Sequence, residues 1–328
     1  MHTALTVPNA SVHEFTADLV VLQRYSAASD VAVLTLADPG GEDLPRWQPG
    51  AHIDLVLEDG LTRQYSLCGD PLNSEVWRVA VLLEPNGRGG SRYVHENLNE
   101  GAVVRVRGPR NHFPLVDARR YRFIAGGIGI TPIVTMLETC HRVGGDWTLL
   151  YGGRTRESMA FAAGLLERFP DRVTVWPQDE HGLLDLDPLL SEPEDGTAIY
   201  CCGPEALLTA VEQQSAHWRA GSLHVERFAA RAAADDAAGL DHFQVVCQRS
   251  GVTLEVTPDQ SILELVEEAG IPITTSCYEG VCGTCEARVL EGIPDHRDAV
   301  LNTEQKESGT VMLPCVSRSR SKRLVLDL

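Results

Sequence analysis

A loop rich in cysteine lies near the end of this 328-residue sequence. Residues 277–285 read CYEGVCGTC, so Cys277, Cys282 and Cys285 form a C-x4-C-x2-C pattern. This is the spacing of a plant-type [2Fe–2S] cluster, which also needs a more distant fourth cysteine. Cys315, in VMLPCVSRS, is the downstream candidate. The pattern therefore predicts a cluster held by these four thiolates.

Two glycines inside the loop fit that prediction. Gly280 and Gly283 permit positive φ angles, so backbone N–H groups can turn toward the sulfurs and tune the reduction potential. A structural zinc site is the alternative, but zinc loops usually supply two well-separated pairs of ligands, often with histidine. Of the other cysteines, Cys247 is expected in a buried strand, and Cys68 and Cys140 are expected to fill the core.

Three glycine-containing turns suggest a second kind of chemistry. AGGIGITP, residues 125–132, follows a predicted strand and opens a helix, and a helix N-terminus favours a pyrophosphate. The turns YGGRTRES (151–158) and CCGPE (201–205) are expected at the same edge of one sheet, where ligands of such sheets bind. AGGIGITP alone could be a plain tight turn, because it lacks the G-x-G-x-x-G fingerprint. Three converging turns favour a nucleotide site.

The identity of that nucleotide stays open at the residue level. No acidic residue ends the second strand of this region, where one would bind the ribose 2′-hydroxyl of NADH. Arg154 and Arg156 stand there instead, and arginine can pair with the 2′-phosphate of NADPH. Two solvated loop arginines are the alternative.

Two segments nearer the N-terminus could bind a phosphorylated ligand with a flat ring. In RQYSL, residues 63–67, arginine can pair with a phosphate, tyrosine can stack on a ring and serine can donate a hydrogen bond. GRGGS, residues 87–91, precedes a predicted helix at 91–97, and that helix start is a natural phosphate site. Either segment alone would be an ordinary strand end or turn.

The composition places these motifs in an acidic globular protein. Hydrophobic residues make up 43% and charged residues 23% of the sequence, and the formal net charge is -18. This charge disfavours nucleic-acid binding and suits docking onto a basic protein surface. The first residues lack the parts of a signal peptide, and no apolar run approaches the roughly 18 residues of a membrane span. We expect a soluble, cytoplasmic monomer.

The elements that position the motifs fall into three predicted domains. Residues 1–114 hold short β-rich runs and predict an antiparallel β-barrel. Residues 115–228 alternate strands with helices and predict a doubly wound parallel sheet. The stretch AARAAADDAAGL, residues 229–240, is expected to be a linker. Residues 241–328 predict a hairpin, a helix at 261–269 and the cysteine loop; SRSRSKR, residues 317–323, is expected to be a solvated strand edge.

Together these motifs resemble the phthalate dioxygenase reductase family of the ferredoxin reductase superfamily. The resemblance covers nearly the whole chain. RQYSL is similar to the flavin motif, AGGIGITP to the nicotinamide-side motif and CCGPE to the C-G-P motif. HVERF, residues 224–228, is similar to the segment that closes the reductase half, and CYEGVCGTC with Cys315 to the ferredoxin domain. This domain order implies FMN and a C-terminal β-grasp ferredoxin fold.

The resemblance also implies roles for individual residues around FMN. Arg63 and Ser91 would hold the FMN phosphate, and Tyr65 would pack on the isoalloxazine. The other flavin positions that it implies are Gln64, Ser66 near N5, Leu82, Gly89 and Gly90 in backbone contact, and Phe228 near the flavin face.

For the nucleotide, the resemblance implies NADH, because the family mostly uses it. Cys202 would lie beside the nicotinamide, so Ser66, Cys202 and Phe228 are the implied catalytic residues. The implied path of the nucleotide is lined by Gly127, Ile128, Gly129, Thr131, Arg154, Gly203 and Pro204.

The implied activity is that of the reductase component of a multicomponent oxygenase. Electrons would pass from NADH through FMN and a [2Fe–2S] cluster to a separate terminal oxygenase, usually a Rieske non-haem iron enzyme of the demethylase or hydroxylase type. A cytochrome P450 is the alternative partner. A non-catalytic redox sensor is a third interpretation, against which RQYSL and AGGIGITP weigh because their predicted contexts agree.

Overall fold

The computed structural model describes residues 15–58, 61–229 and 241–328. Its larger sheets follow one another along the chain: a six-stranded sheet, a five-stranded parallel sheet and a mixed five-stranded sheet. The predicted fold class is confirmed. None of the described helices is long and apolar enough to cross a membrane.

The first sheet is an antiparallel barrel with strand order β4-β3-β6-β1-β2-β5. Its elements are β1 (Thr16–Ala28), β2 (Val31–Ala37), β3 (His52–Val56), β4 (Thr62–Ser66), β5 (Trp77–Leu82), α1 (Gly90–Asn97) and β6 (Val103–Arg110). Leu67, just after β4, bridges to Val79 in β5 and so joins the two ends of the strand order. Apolar residues at alternate positions point inward, and Leu19, Ile53 and Trp77 are completely buried there.

The second sheet is parallel, with strand order β11-β10-β7-β8-β9. Its elements are β7 (Arg120–Gly126), α2 (Ile130–Arg142), β8 (Asp146–Gly153), α3 (Ala162–Arg168), β9 (Val173–Pro177), α4 (Gln178–His181), α5 (Asp187–Leu190), β10 (Thr197–Cys202), α6 (Glu205–Gln214) and β11 (Leu223–Glu226). The chain runs outward from β7 through β8 and β9, then returns to the other side at β10. The crevice at the carboxyl ends of β7 and β10 is therefore the switch point where ligands bind in such sheets.

The barrel and the parallel sheet share one hydrophobic core. Val31, Val33 and Ala80 of the barrel belong to the same buried cluster as Phe123 and Trp147 of the parallel sheet. Cys68 and Cys140 also lie in this cluster, which confirms that they fill the core. All nine cysteines lie within the described residues; all are buried and none forms a disulfide.

The third sheet is mixed, with strand order β13-β12-β18-β14-β16. The elements of this region are β12 (Phe243–Cys247), β13 (Val252–Val256), α7 (Ile262–Glu268), β14 (Ala287–Glu291), β15 (Pro294–Asp295), α8 (Thr303–Ser308), β16 (Val311–Met312), β17 (Arg318–Ser319) and β18 (Arg323–Leu326). Ser261 caps α7 through a capping box with Glu264, and Ile262 and Val266 pack into the core of the sheet. Cys247 is buried in β12, as predicted.

The prediction that residues 317–323 form a solvated strand edge is wrong for residues 317–319, which are buried. The Arg318 residue is only 8% exposed and its guanidinium lies over the Phe243 ring. It donates to the carbonyl oxygens of Asp241 (2.9 Å), Thr257 (3.0 Å) and Gln260 (3.2 Å). The charge is tolerated there because three carbonyl oxygens accept hydrogen bonds from the guanidinium, which offers five donors.

The predicted domain boundaries fall between elements. The boundary at 114/115 lies between β6 and β7, and the one at 228/229 follows β11. Apart from Ala229, the predicted linker at 229–240 lies outside the described residues.

Candidate redox and nucleotide-binding sites

Four buried cysteines meet at one end of the third sheet. Cys277, Cys282 and Cys285 lie on the loop between α7 and β14, and Cys315 follows β16. The thiols form two hydrogen-bonded pairs, Cys277 with Cys282 and Cys285 with Cys315. Among the described residues, no three histidine, cysteine or acidic side chains converge as the ligands of a single ion do. The four cysteines have the residue types and the spacing of the ligands of a plant-type [2Fe–2S] cluster.

The backbone of this loop is shaped for sulfur ligands. Gly280 and Gly283 have φ angles of 69° and 70°, so both adopt the left-handed conformation that the sequence predicts. The N–H of Glu279 donates to Cys277 Sγ at 3.3 Å. The hydrogen bond from the Cys282 thiol, followed by backbone N–H groups, lowers the pKa of Cys277. The same hydrogen bond raises the pKa of Cys282, so the support for the cluster comes from the backbone N–H groups, which would stabilise a ligating thiolate at Cys277.

The cysteine loop lies against the barrel. Ser276, the residue before Cys277, donates through Oγ to Asp54 Oδ2 at 2.7 Å, and Asp54 belongs to β3. Glu279 pairs with Arg88 of the GRGGS segment at 2.5 Å. A Cβ atom on Gly283 would come within 2.5 Å of His112 Nε2. The loop and the barrel are thus in direct contact on both sides of Cys282.

The barrel brings RQYSL and GRGGS together, as expected for a phosphate site. Arg63 donates to the carbonyl oxygens of Thr62 (2.8 Å) and Arg88 (3.3 Å). A Cβ atom on Gly90, which opens α1, would lie 2.5 Å from Arg63 Cγ. Gly89 has a φ of 87°. An arginine held over the N-terminus of a helix fits the phosphate of FMN.

The other residues that the resemblance assigns to the flavin differ in burial and in contacts. Tyr65 is partly buried and Ser66 is buried at the end of β4. Leu82 ends β5, which lies against the turn Gly127–Gly129 of the second sheet. Ser91 Oγ accepts the N–H of Glu84 at 3.0 Å.

Gln64 has a different orientation from its neighbours. Successive side chains of a strand point to opposite faces, and the Gln64 amide donates to Asp54 (2.9 Å) and Ser276 (2.8 Å). Any contact of Gln64 with FMN would therefore come from its backbone.

The turns of the second sheet pack closely on one another. A Cβ atom on Gly129 would lie 2.2 Å from the carbonyl oxygen of Cys202, and one on Gly203 would lie 3.0 Å from Gly126 Cα. Gly127 has a φ of 54°, and a Cβ atom added to it would meet no described atom within 4 Å, so it borders open space. Thr131 is buried and donates to the Ile128 carbonyl at 3.0 Å. Gly129 and Gly203 thus serve the contact between turns, and Gly127 leaves room for a nucleotide.

The arginines after β8 differ in their surroundings. Arg156 forms a two-point ion pair with Glu180, with distances of 3.1 and 2.8 Å. Arg154 is exposed. Because the charge of Arg156 is matched by Glu180, this turn offers less attraction to a 2′-phosphate, which favours NADH over NADPH.

An acid–thiol pair stands at the ends of β10 and β11, where Cys202 is buried and Glu226 is half-buried. Cys202 and Glu226 are paired in register, and Cys202 Sγ lies 3.9 Å from Glu226 Oε2. Burial raises the pKa of Glu226 to about 8 and also raises the pKa of Cys202. Phe228, two residues beyond Glu226, is 45% exposed. The sequence pointed to Cys202 and Phe228 but missed Glu226, whose signal was its place in HVERF at the end of a strand.

Comparisons with known proteins agree with this arrangement. Residues 123–213 match the family described as oxidoreductase NAD-binding domain, and residues 245–320 match the 2Fe-2S iron-sulfur cluster binding domain. The vanillate O-demethylase oxidoreductase of Pseudomonas putida is 40% identical over 317 residues, which cover 95% of this chain and 99% of that protein.

Two solved structures resemble the whole chain. Phthalate dioxygenase reductase, described as a modular structure for electron transfer from pyridine nucleotides to [2Fe-2S], has a TM-score of 0.70 and 34% identity over 96% of this chain and 98% of its own. An intact type IV self-sufficient cytochrome P450 monooxygenase has a TM-score of 0.90 and 44% identity over 95% of this chain. This chain spans 41% of that longer protein.

Proposed function

The chain belongs to the phthalate dioxygenase reductase family, and we propose that the terminal oxygenase it reduces is a Rieske non-haem iron enzyme of the demethylase or hydroxylase type. As a member of this family it is an NADH-dependent oxidoreductase, the reductase component of an oxygenase system, with FMN and a [2Fe–2S] cluster as its electron carriers. Bound FMN supplies the step from a two-electron hydride to single electrons.

The residues of the chain would bind and orient these groups. Arg63 and the start of α1 would hold the FMN phosphate, Tyr65 would face the ring, and Ser66 would lie beside the ring through its backbone. Gly127 and its turn would admit the nucleotide, and Cys202 with Glu226 would border the nicotinamide. Cys277, Cys282, Cys285 and Cys315 would bind the two irons.

The observation that carries the electron path from nucleotide to cluster is the contact of three sites around the barrel. The cysteine loop touches β3 and the GRGGS segment. The end of β5 touches the glycine turn at the switch point of the parallel sheet. Electron carriers bound at these places would therefore be neighbours, as transfer from a nucleotide through a flavin to a cluster requires.

A cytochrome P450 is the second candidate partner. The observation that favours it is the 44% identity with a self-sufficient P450 monooxygenase. The family resemblance favours the Rieske enzyme, because members of the family usually reduce that class of oxygenase.

We also propose that the chain is a monomer.

Two experiments test the proposal. In an anaerobic NADH titration, flavin bleaching should be followed by loss of the iron–sulfur absorbance, and a cluster that stays oxidised would contradict the electron path. The reduced protein is then mixed with a Rieske oxygenase and, separately, with a ferric P450. Faster reduction of the Rieske centre is expected, whereas preference for the P450 would reverse the choice of partner. Ferricyanide reduction serves as the control for an active reductase.

A further inference from the structure

We propose that Asp54 is a positioning residue that fixes the cysteine loop against the barrel, so that it controls electron transfer from flavin to cluster but not hydride transfer from NADH. This inference rests on the proposed function, because it concerns a step between the two carriers. It assigns a role to a residue of β3 that carries no motif of its own.

Asp54 is a completely buried carboxylate surrounded by donors from three segments. Oδ1 accepts hydrogen bonds from Arg110 of β6 and from Gln64 of β4, the latter at 2.9 Å. Oδ2 accepts the hydroxyl of Ser276 at 2.7 Å and faces Arg107 at 3.6 Å. The barrel thus supplies every partner of Oδ1, whereas the short hydrogen bond to Oδ2 comes from the cysteine loop.

The cysteine loop supplies a hydrogen bond that the buried carboxylate of Asp54 needs. A buried carboxylate is costly unless its lone pairs are satisfied, and hydrogen bonds to charged groups are the strong ones. If the loop moved away, Arg107 at 3.6 Å would be the remaining partner of Oδ2 among the described residues. Arg107 also donates to the Thr275 carbonyl at 3.4 Å. Two consecutive residues before Cys277 are therefore held by one buried group of side chains.

The second ionic link between loop and barrel differs in character. The side chains of Arg88 and Glu279 are 57% and 32% exposed, and exposed ion pairs contribute little because water and salt screen them. The buried group at Asp54 is therefore the stronger of the two ionic links between the loop and the barrel. Because Ser276 is next to Cys277 in the chain, loss of its hydrogen bond to Asp54 would move the cluster relative to the flavin.

Three variants of the full, cofactor-loaded protein test the proposal. Ser276→Ala removes the hydrogen bond that Ser276 donates to Asp54 and the one that it accepts from Gln64, and it changes no residue of the barrel. Asp54→Asn removes the charge itself. Asp18→Asn is the control, because it removes a carboxylate paired with Arg105 at an exposed site on β1, a strand of the same barrel that does not pair with β3.

The first readout is stopped-flow absorbance after mixing with NADH. In Ser276→Ala and Asp54→Asn we expect flavin reduction at the wild-type rate. Cluster reduction should be slowed about tenfold, because a small misplacement of reacting groups lowers the rate of their reaction. The second readout is amide hydrogen exchange of residues 272–283, which should accelerate about tenfold when one hydrogen bond to a buried charge is lost. Asp18→Asn should match the wild type in both.

The outcomes separate this inference from the proposed function. Wild-type protein whose flavin is not reduced by NADH would overturn the function, and the inference with it. A normal wild type with unchanged cluster reduction and unchanged exchange in Ser276→Ala would overturn the inference alone. Equal slowing of both phases would assign Asp54 and Ser276 to general stability and would also overturn it. If Asp54→Asn does not fold, Ser276→Ala still decides the matter.

Discussion

Glu226 and Cys202 form a pair of titratable groups that only the parallel register of β10 and β11 brings together. Desolvation favours the neutral form of both groups near pH 7, since it raises the pKa of Glu226 to about 8 and also raises the pKa of Cys202. Oxidation of NADH leaves a positive charge on the nicotinamide ring. An ionised carboxylate beside that ring would stabilise the charge as it develops.

This predicts a pH dependence for flavin reduction by NADH. Glu226 becomes ionised as the pH rises through about 8, so the rate should rise over the same interval. Glu226→Gln should lower the rate at high pH and remove most of the rise. The measurement is the anaerobic stopped-flow rate between pH 6 and 10, with the exposed Glu192→Gln as control. An identical rise in Glu226→Gln would exclude this carboxylate as its source.

A second residue-scale prediction concerns the contact between two turns. Gly129→Ala would place a Cβ atom 2.2 Å from the Cys202 carbonyl oxygen, which would force the turns apart. We expect kcat/KM for NADH to fall about 10- to 100-fold, with flavin and cluster absorbance retained. Gly164→Ala, in an exposed part of α3 with no atom within 4 Å of the new Cβ, should leave the kinetics unchanged. Wild-type kinetics in Gly129→Ala would contradict the close packing of the turns.

At the scale of elements, β17 depends on the buried Arg318. Arg318→Met removes the donor of three carbonyl hydrogen bonds, and a hydrogen bond to a charged group contributes about 1.5–3 kcal/mol. Unfolding in urea, followed by loss of the iron–sulfur absorbance, should show destabilisation of about 3 kcal/mol or more. Arg323→Met breaks only an exposed pair with Glu291 and should cost less than about 1 kcal/mol. Equal midpoints for the two variants would contradict the buried role.

The elements themselves were largely predictable because their signals are local. The helix expected at 261–269 forms at Ile262–Glu268, since Ser261 and Glu264 carry a capping box within four residues. The strand–turn–helix repeats likewise predicted the parallel sheet. The burial of Arg318 was not predicted because its carbonyl partners lie 58 to 77 residues earlier, on either side of the β12–β13 hairpin. The alternation of serine and arginine in residues 317–321 also resembles an exposed strand.

The whole molecule is strongly acidic, and this predicts opposite salt effects on two electron acceptors. With a formal charge of -18, the protein attracts basic cytochrome c and repels the ferricyanide anion. Added salt screens both interactions. The rate of cytochrome c reduction should therefore fall between about 10 and 300 mM salt, and the rate of ferricyanide reduction should rise. Parallel changes would show that charge does not steer the acceptors.

The contact between domains lay beyond what the sequence could reveal. The cysteine spacing and the RQYSL, GRGGS and AGGIGITP segments each predict a local binding site from neighbouring residues. Asp54 and Ser276 are 222 positions apart, and each resembles an ordinary polar residue in its own segment. Their partnership depends on how the barrel and the cysteine loop fold and meet, which no local pattern records.

The burial of all nine cysteines has a practical consequence. Thiol-reactive probes need an accessible thiolate, so the native protein offers them little to react with. A cysteine introduced on the outer face of the barrel and another on β13 would then be the preferred targets for a pair of spin labels or dyes. The distance between the labels would report, during turnover, whether the cluster leaves the flavin to meet its acceptor or delivers its electrons without moving.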